Sequence, residues 1–386
     1  MNDIHSLVNK IKKRFNTNIL NLHEPSLDKT DYKMVHKSLL EKEISTYGKY
    51  NILFEKKISK YIGTSNLVSI INGTSALHLM LKMLGIGKND EVLVQSLTYI
   101  SSINSIIYNN AIPHFVEIDK DNLNVDLDKL ENYLKIKTFQ KNNLCYNKKT
   151  KKKIRFFLSV CINGLSTNLI ELKKILKKYN IKLIEDAAEG LGCFYNEKHL
   201  GLFGEGGVLS FNGNKIISTG GGGALYLKSQ KLYELSIKYA TNCKIKKGFE
   251  TEYFDTGYNY RLPSINASLG ISQLSKLEKF IKNKKKIYEI YNEIFNDYDE
   301  FEILKPIRNL KSNYWLTTLR VNKINKFKKN SFLKSFWDKN IHIRQIWKPI
   351  HMMKNFKHFP KMNLEETEKT YFTTYSLPSS EFIINS

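Results

Sequence analysis

The chain has little of several things that would point its function elsewhere. Its four cysteines, Cys145, Cys161, Cys193 and Cys243, fall in no spacing that suits a metal, which leaves them as reduced thiols of a cytoplasmic protein. No apolar run approaches the length of a membrane span, and the amphiphilic start Ile4 to Phe15 lacks the apolar core of a signal peptide. No internal repeat recurs. Acidic residues are scarce beside basic ones: 37 Asp and Glu against 61 Lys and Arg give a formal charge of +24. That excess invites a nucleic-acid reading. Yet the lysines are dispersed apart from runs at Lys148 to Lys153 and Lys282 to Lys286, and no zinc-finger or RNP-type pattern accompanies them. Lys, Asn and Ile are abundant together, as in a compositionally biased genome. The charge therefore reads as solvated surface that can also attract a phosphate-bearing substrate.

What is present is core-forming material: 386 residues at 41% hydrophobic, enough for one large and one smaller domain. Apolar runs predict strands at Leu67 to Asn72, Glu91 to Gln95, His114 to Ile118, Phe156 to Ile162 and Lys182 to Glu185. Helical spacing falls between them at Ala76 to Leu84, Tyr99 to Asn109, Leu127 to Leu134 and Leu169 to Tyr179. Such alternation predicts an α/β fold with a parallel or mixed sheet covered on both faces. Glu55 to Tyr61 has helical spacing, the pattern turns helical from Leu232, and Ser264 to Phe295 reads as one long helical segment. Short strands (Tyr314 to Val321, Ile341 to Trp347) and a helix (Phe332 to Lys339) follow. The lysine-rich insert from Asn142 to Lys153 reads as a solvated loop. The expected division is an N-terminal segment, 1–60, packing on both domains, a large α/β domain, 61–260, and a linker helix with a small α+β domain, 261–386.

Three constellations fall at predicted strand ends, where open α/β sheets bind ligands. Asn72-Gly73-Thr74-Ser75-Ala76 places backbone N–H groups and two hydroxyls at a helix start. That is a phosphate cradle or an ordinary N-cap. Glu185-Asp186-Ala187-Ala188-Glu189 follows an apolar strand; a carboxylate there either caps a helix or holds a protonated pyridine nitrogen beside something flat. Ser210-Phe211-Asn212-Gly213-Asn214-Lys215 ends an apolar run and precedes Gly220 to Gly223, four glycines that exclude a regular element. Lys215 is a solvated lysine or one held for Schiff-base chemistry, with Ser210 near a phosphate.

An aldehyde-binding lysine, a ring-nitrogen carboxylate and a phosphate cradle are three requirements of pyridoxal 5'-phosphate (PLP). The chain resembles the DegT/DnrJ/EryC1/StrS family of PLP-dependent sugar aminotransferases, of fold type I. The matching stretches are N-G-T-S-A-L-H-L (72–79), E-D-A-A-E (185–189), G-x-F-G (201–204), S-F-N-G-N-K (210–215), G-G-G-G (220–223) and G-Y-N-Y-R-L-P (257–263). L-H-E-P (22–25), S-T-Y-G-K-Y (45–50), F-N-G-N-K (211–215) with G-G-G-G, and R-Q-I-W-K-P-I-H (344–351) resemble the branch acting on nucleotide-linked 4-keto sugars for legionaminic acid and bacillosamine.

The resemblance implies roles. Lys215 and Asp186 are catalytic: Lys215 holds the aldehyde and shuttles protons, and Asp186 pairs with the pyridinium. Gly73, Thr74, Ser75 and Ser210 serve the phosphate, Tyr99 stacks on the ring, and Glu189 lies near its hydroxyl, where many relatives carry glutamine. Asn259 reaches the phosphate of a neighbouring subunit, making a homodimer with shared sites. Thr46, Arg261, Arg344, Trp347 and His351 fall to the substrate side. Tyr99 is also open to core packing, Arg261 to bracing its loop, and Arg344, Trp347 and His351 to a structural role. The segment Val160 to Leu165 departs from the family, with Cys161 where relatives have histidine. The implied reaction moves an amino group from glutamate to the C4 ketone of a nucleotide-linked 2-acetamido-2,6-dideoxy-hexose, with another keto sugar (perosamine type) or a non-catalytic PLP-binding homologue as alternatives. A dehydratase of this fold needs a residue other than lysine, typically histidine, at position 215.

Overall fold

The computed structural model describes residues 2–322 and 329–384. Its centre is a nine-stranded sheet in the order Leu67–Ile70, Gly223–Leu227, Gly206–Ser210, Lys182–Asp186, Lys153–Val160, Asp90–Gln95, Ile112–Val116, with a hairpin added beside Lys153–Val160. Neighbours from Gly206–Ser210 to Ile112–Val116 pair in parallel, whereas Gly223–Leu227 runs antiparallel to both its partners. Nearly every position of the central strands is buried, as expected of a sheet covered on both faces. Six of the seven principal strands point the same way, so Ile70, Gln95, Val160, Asp186 and Ser210 end at one edge of the sheet.

Three helices of the large core start where a short polar side chain satisfies the first turn. Asn72 accepts from the Ser75 amide at the head of Gly73–Met83, Asp126 from Lys129 at Leu127–Lys137, and Asn168 from Glu171 at Leu169–Lys178. The large apolar core surrounds this sheet and takes in helix Lys49–Ile62 through Tyr50, Phe54, Ile58 and Ile62. A second core joins helix Asn2–Phe15, the later part of helix Leu277–Phe295 and a four-stranded antiparallel sheet.

Several expectations change. The insert is no simple loop. Thr138–Lys141 and Leu144–Asn147 form a hairpin about Asn142 and Asn143, whose φ values of 50° and 56° suit the tight turn that matches strand twist. Asn147 and Thr150 then donate to the buried Glu91 carboxylate, which also pairs with His114 at 2.7 Å. Ser264 to Phe295 is two helices, Ser264–Ser275 and Leu277–Phe295, parted at Lys276, whose ammonium is drawn to Asp28 and Asp31. The strand expected from Tyr314 begins only at Thr318, because Tyr314 takes φ 50°. The expected strand over 341–347 shortens to Arg344–Gln345, and the helix before it spans Lys329–Trp337. The glycine run is not wholly irregular either. Gly220 turns with φ +79°, but Gly223 opens a strand, and a Cβ there would stand 2.8 Å from the Gly73 nitrogen.

Candidate active site

At the shared strand edge a cavity of about 390 Å³ opens among Gly73, Thr74, Tyr99, Asp186, Glu189, Ser210, Lys215, Arg344 and Trp347, with Cys161 and Trp315 also in its wall. Residues far apart in the chain meet there because parallel strands deliver their ends to one side.

Lys215 hangs from a loop closed at its neck. Phe211 donates its amide to the Gly222 carbonyl and Thr219 donates to Phe211. Its ammonium lies 3.0 Å from Glu189 Oε1, with side chains 14% and 5% exposed. The second Glu189 oxygen accepts the Asn163 amide at 2.9 Å. The Trp315 ring covers the amine, centroid 4.3 Å from Nζ, and the indole Nε1 donates to the Asn214 carbonyl at 2.9 Å. Burial pushes the Glu189 carboxyl above its ordinary value, and Lys215 opposes that push.

Asp186 ends its strand as a buried carboxylate. One oxygen accepts from Ser102 Oγ at 2.6 Å and the other from the Ala188 amide at 3.1 Å. Burial pushes its carboxyl up; Ser102, Ala188 and Lys215 hold it back. No cation pairs with it directly among the described residues, so it is a buried acid suited to a cationic ring nitrogen. Glu185, next in sequence, serves the fold. Its oxygens accept the amides of Gly201, Phe203 and Gly204, which explains the G-x-F-G stretch, and burial pushes its carboxyl to about 7.

Helix Gly73–Met83 aims its N-terminus at the cavity, where first-turn N–H groups lack intrahelical acceptors. Thr74 and Ser210 flank it, and Thr74 Oγ1 shares a 2.7 Å bond with Ser101. A Cβ on Gly73 would sit 3.2 Å from Ser210, so glycine keeps this cradle open. Amine, acid and cradle in one enclosure fit PLP.

Not every expected residue arrives. Ser75 is outside the lining: its amide is taken by Asn72 at 2.8 Å and its hydroxyl is directed to Tyr260. Tyr99 does line the cavity, from a position just before the helix, 56% exposed and with its ring 6.2 Å from that of Trp347. His351 is buried away from the cavity, its ring bonded to Ser96 at 2.7 Å and Glu368 at 3.0 Å. Arg261 pairs with Glu55 at 2.7 Å and braces the first strand. Thr46 and Asn259 also lie outside the lining, Asn259 exposed on a segment bridged to Thr241. Cys161 does line the wall as a free thiol, and its hydrogen bond to the Cys193 thiol together with burial pushes it well above the usual thiol range. Asn214 joins the site from within the S-F-N-G-N-K stretch, whereas Trp315, Ser101 and Ser102 join it from outside any motif. An isolated tryptophan in K-S-N-Y-W-L and two serines at a helix start were the only signals available.

Among the described residues no helix is long and apolar enough to cross a membrane, and no group of three or more His, Cys, Asp or Glu could hold a metal ion. The GDP-perosamine synthase of Vibrio cholerae is 28% identical over 351 residues, covering 91% of this chain and 89% of that protein. The UDP-4-amino-4,6-dideoxy-N-acetyl-beta-L-altrosamine transaminase of Helicobacter pylori is 28% identical over 359 residues, covering 92% and 91%. The solved Helicobacter pylori PseC, an aminotransferase involved in the biosynthesis of pseudoaminic acid, superposes with a TM-score of 0.84 at 27% identity over 93% of each chain. The model of the DegT/DnrJ/EryC1/StrS aminotransferase family matches residues 25–383. With the amine, the acid and the cradle in place, the chain belongs to that family of PLP-dependent aminotransferases.

Proposed function

We propose that this chain moves an amino group from glutamate to the C4 ketone of a nucleotide-linked 2-acetamido-2,6-dideoxy-4-keto-hexose, in the cytoplasm, for a surface glycan of the legionaminic acid or bacillosamine type. The observation that carries the chemistry is the amine of Lys215 held 3.0 Å from Glu189 in the enclosure that Asp186 backs. The sugar class draws support from the Helicobacter pylori relative, whose name specifies a 4-amino-4,6-dideoxy N-acetyl sugar on UDP. The Vibrio cholerae relative favours a second reading, a perosamine-type sugar on GDP.

When bound, PLP supplies an aldehyde for amino-group exchange and a ring that withdraws electrons from the substrate carbon. The residues divide the remaining work. Asp186 holds the ring nitrogen in its cationic form. Lys215 Nζ takes and returns a proton, oriented by Glu189 and shielded by Trp315. Thr74, Ser210 and the N–H groups around Gly73 hold the phosphate. Tyr99 and Trp347 frame the opening, where Arg344 offers a cation to the sugar's diphosphate. Asn259, exposed on its own chain, is assigned to the site of a second copy in a homodimer. Arg261 and His351 hold the walls, and Thr46 stays with the loop before helix Lys49–Ile62.

The test is turnover of a panel of UDP- and GDP-linked 4-keto sugars with glutamate as donor. The proposal expects amination at C4 of the acetamido sugar and loss of turnover in Lys215→Ala. Amination of the GDP-linked sugar alone would move the assignment to the second reading.

A further inference from the structure

A line of contacts leads from a buried amine far along the chain to the amine of Lys215. Lys284 stands within the run Lys282 to Lys286, expected at the surface, yet it is only 1% exposed. Its Nζ donates to the Trp315 carbonyl at 3.0 Å and to the Ser379 carbonyl. Ser379 in turn accepts the Thr317 amide on its hydroxyl at 3.0 Å and donates its own amide to Leu22. One ammonium thus gathers the tryptophan loop, the C-terminal segment and the N-terminal stretch around one helix. Beyond the carbonyl, the Trp315 indole is tied to Asn214 and lies over Lys215. The His23 ring lies 6.1 Å from the indole, its Nδ1 buried without a hydrogen-bond partner.

A lysine buried here costs desolvation that an apolar side chain of like volume would not. Glu381, the acid whose charge acts on it, is engaged at 2.6 Å by Asn283. The cost is offset by two carbonyls and the charge of Glu381, and one of those carbonyls belongs to Trp315 in the cavity wall. Resting on the PLP aminotransferase reading, we infer that Lys284 is a positioning residue for Lys215: it fixes the Trp315 backbone, which sets the indole against the reacting amine. The charged and titratable groups facing it are Glu381 from the C-terminal turn, His23 from the N-terminal stretch and, across the indole, Lys215. Burial pushes the Lys284 amine down to about 7, against the charge of Glu381.

The experiment follows the near-visible band that forms when cofactor-free protein is mixed with PLP, at several pH values, in wild type, Lys284→Met, Trp315→Leu and the double variant. Thermal melts report the folded fraction, and Lys284→Gln serves if the methionine variant does not fold. Each single variant is expected to slow band formation about tenfold, with the double variant no slower than Trp315→Leu, since both act through one contact. The pH dependence near 7 should disappear in Lys284→Met. Wild-type rates in both Lys284 variants, or effects that multiply in the double variant, would overturn the inference. Lowered melting points with unchanged band formation per folded molecule would do the same, leaving a scaffold role. No band in wild type would overturn the PLP reading itself, and the inference with it.

Discussion

Glu189 Oε1 receives the amine of Lys215 at 3.0 Å while its other oxygen holds the Asn163 amide at 2.9 Å. Asn163 itself reaches the small sheet, donating to Thr318 at 2.9 Å and Ser376 at 3.1 Å. The reacting amine is therefore aligned by a carboxylate that the second core steadies. An amide keeps an acceptor in that place. Glu189→Gln should retain turnover within about tenfold, and Glu189→Ala should lose about a hundredfold through misalignment. Steady-state kcat on the preferred sugar separates them.

Asp186 is held as a buried acid at a cost to the fold, since burial pushes its carboxyl up despite Ser102 and Ala188. Removing the charge relieves the cofactor-free protein and harms the reaction. Asp186→Asn should melt no lower than wild type without PLP at pH 7, yet lose at least about a hundredfold in turnover. Melting curves with and without PLP, beside kcat, test both halves.

Glu185 answers for the G-x-F-G loop. With a folded value near 7 against an ordinary 4.5, its contribution to stability is fully present below about 4.5 and is lost as pH rises through about 7. Glu185→Gln removes that slope. At pH 8 it also turns one acceptor into a donor facing backbone amides, costing about 1–3 kcal/mol. Urea titrations between pH 4 and 8 read both effects.

Lys284 gives the opposite slope. Its folded value of about 7 lies below the ordinary 10.5, so the unfolded chain binds the extra proton between those values and stability rises with pH across them. Lys284→Met should flatten that rise and gain most on wild type near pH 7. Chemical denaturation from pH 7 to 10 measures it.

The chain announced its site better than its supports. Lys215, Asp186, Glu189, Gly73, Thr74 and Ser210 were legible because each stands in a short local pattern at a strand end, and parallel pairing carries strand ends to one edge. Trp315 and Ser102 carry no such pattern, and only tertiary contact brings them to Lys215 and Asp186. Lys284 misled because a lysine among lysines reads as solvated, whereas helix Leu277–Phe295 turns that position inward. Ser75 misled in the other direction: Asn72 had already capped the helix and taken its amide. Boundaries shifted where backbone conformation decided them, at the left-handed Tyr314, at the Asn142–Asn143 turn and at Lys276.

The most direct test of the whole account is chemical trapping. The PLP-loaded protein is treated with borohydride, digested and sequenced by mass spectrometry. The account predicts one pyridoxyl group, carried on the side chain of Lys215. Labelling of a different lysine, or of none, would contradict it.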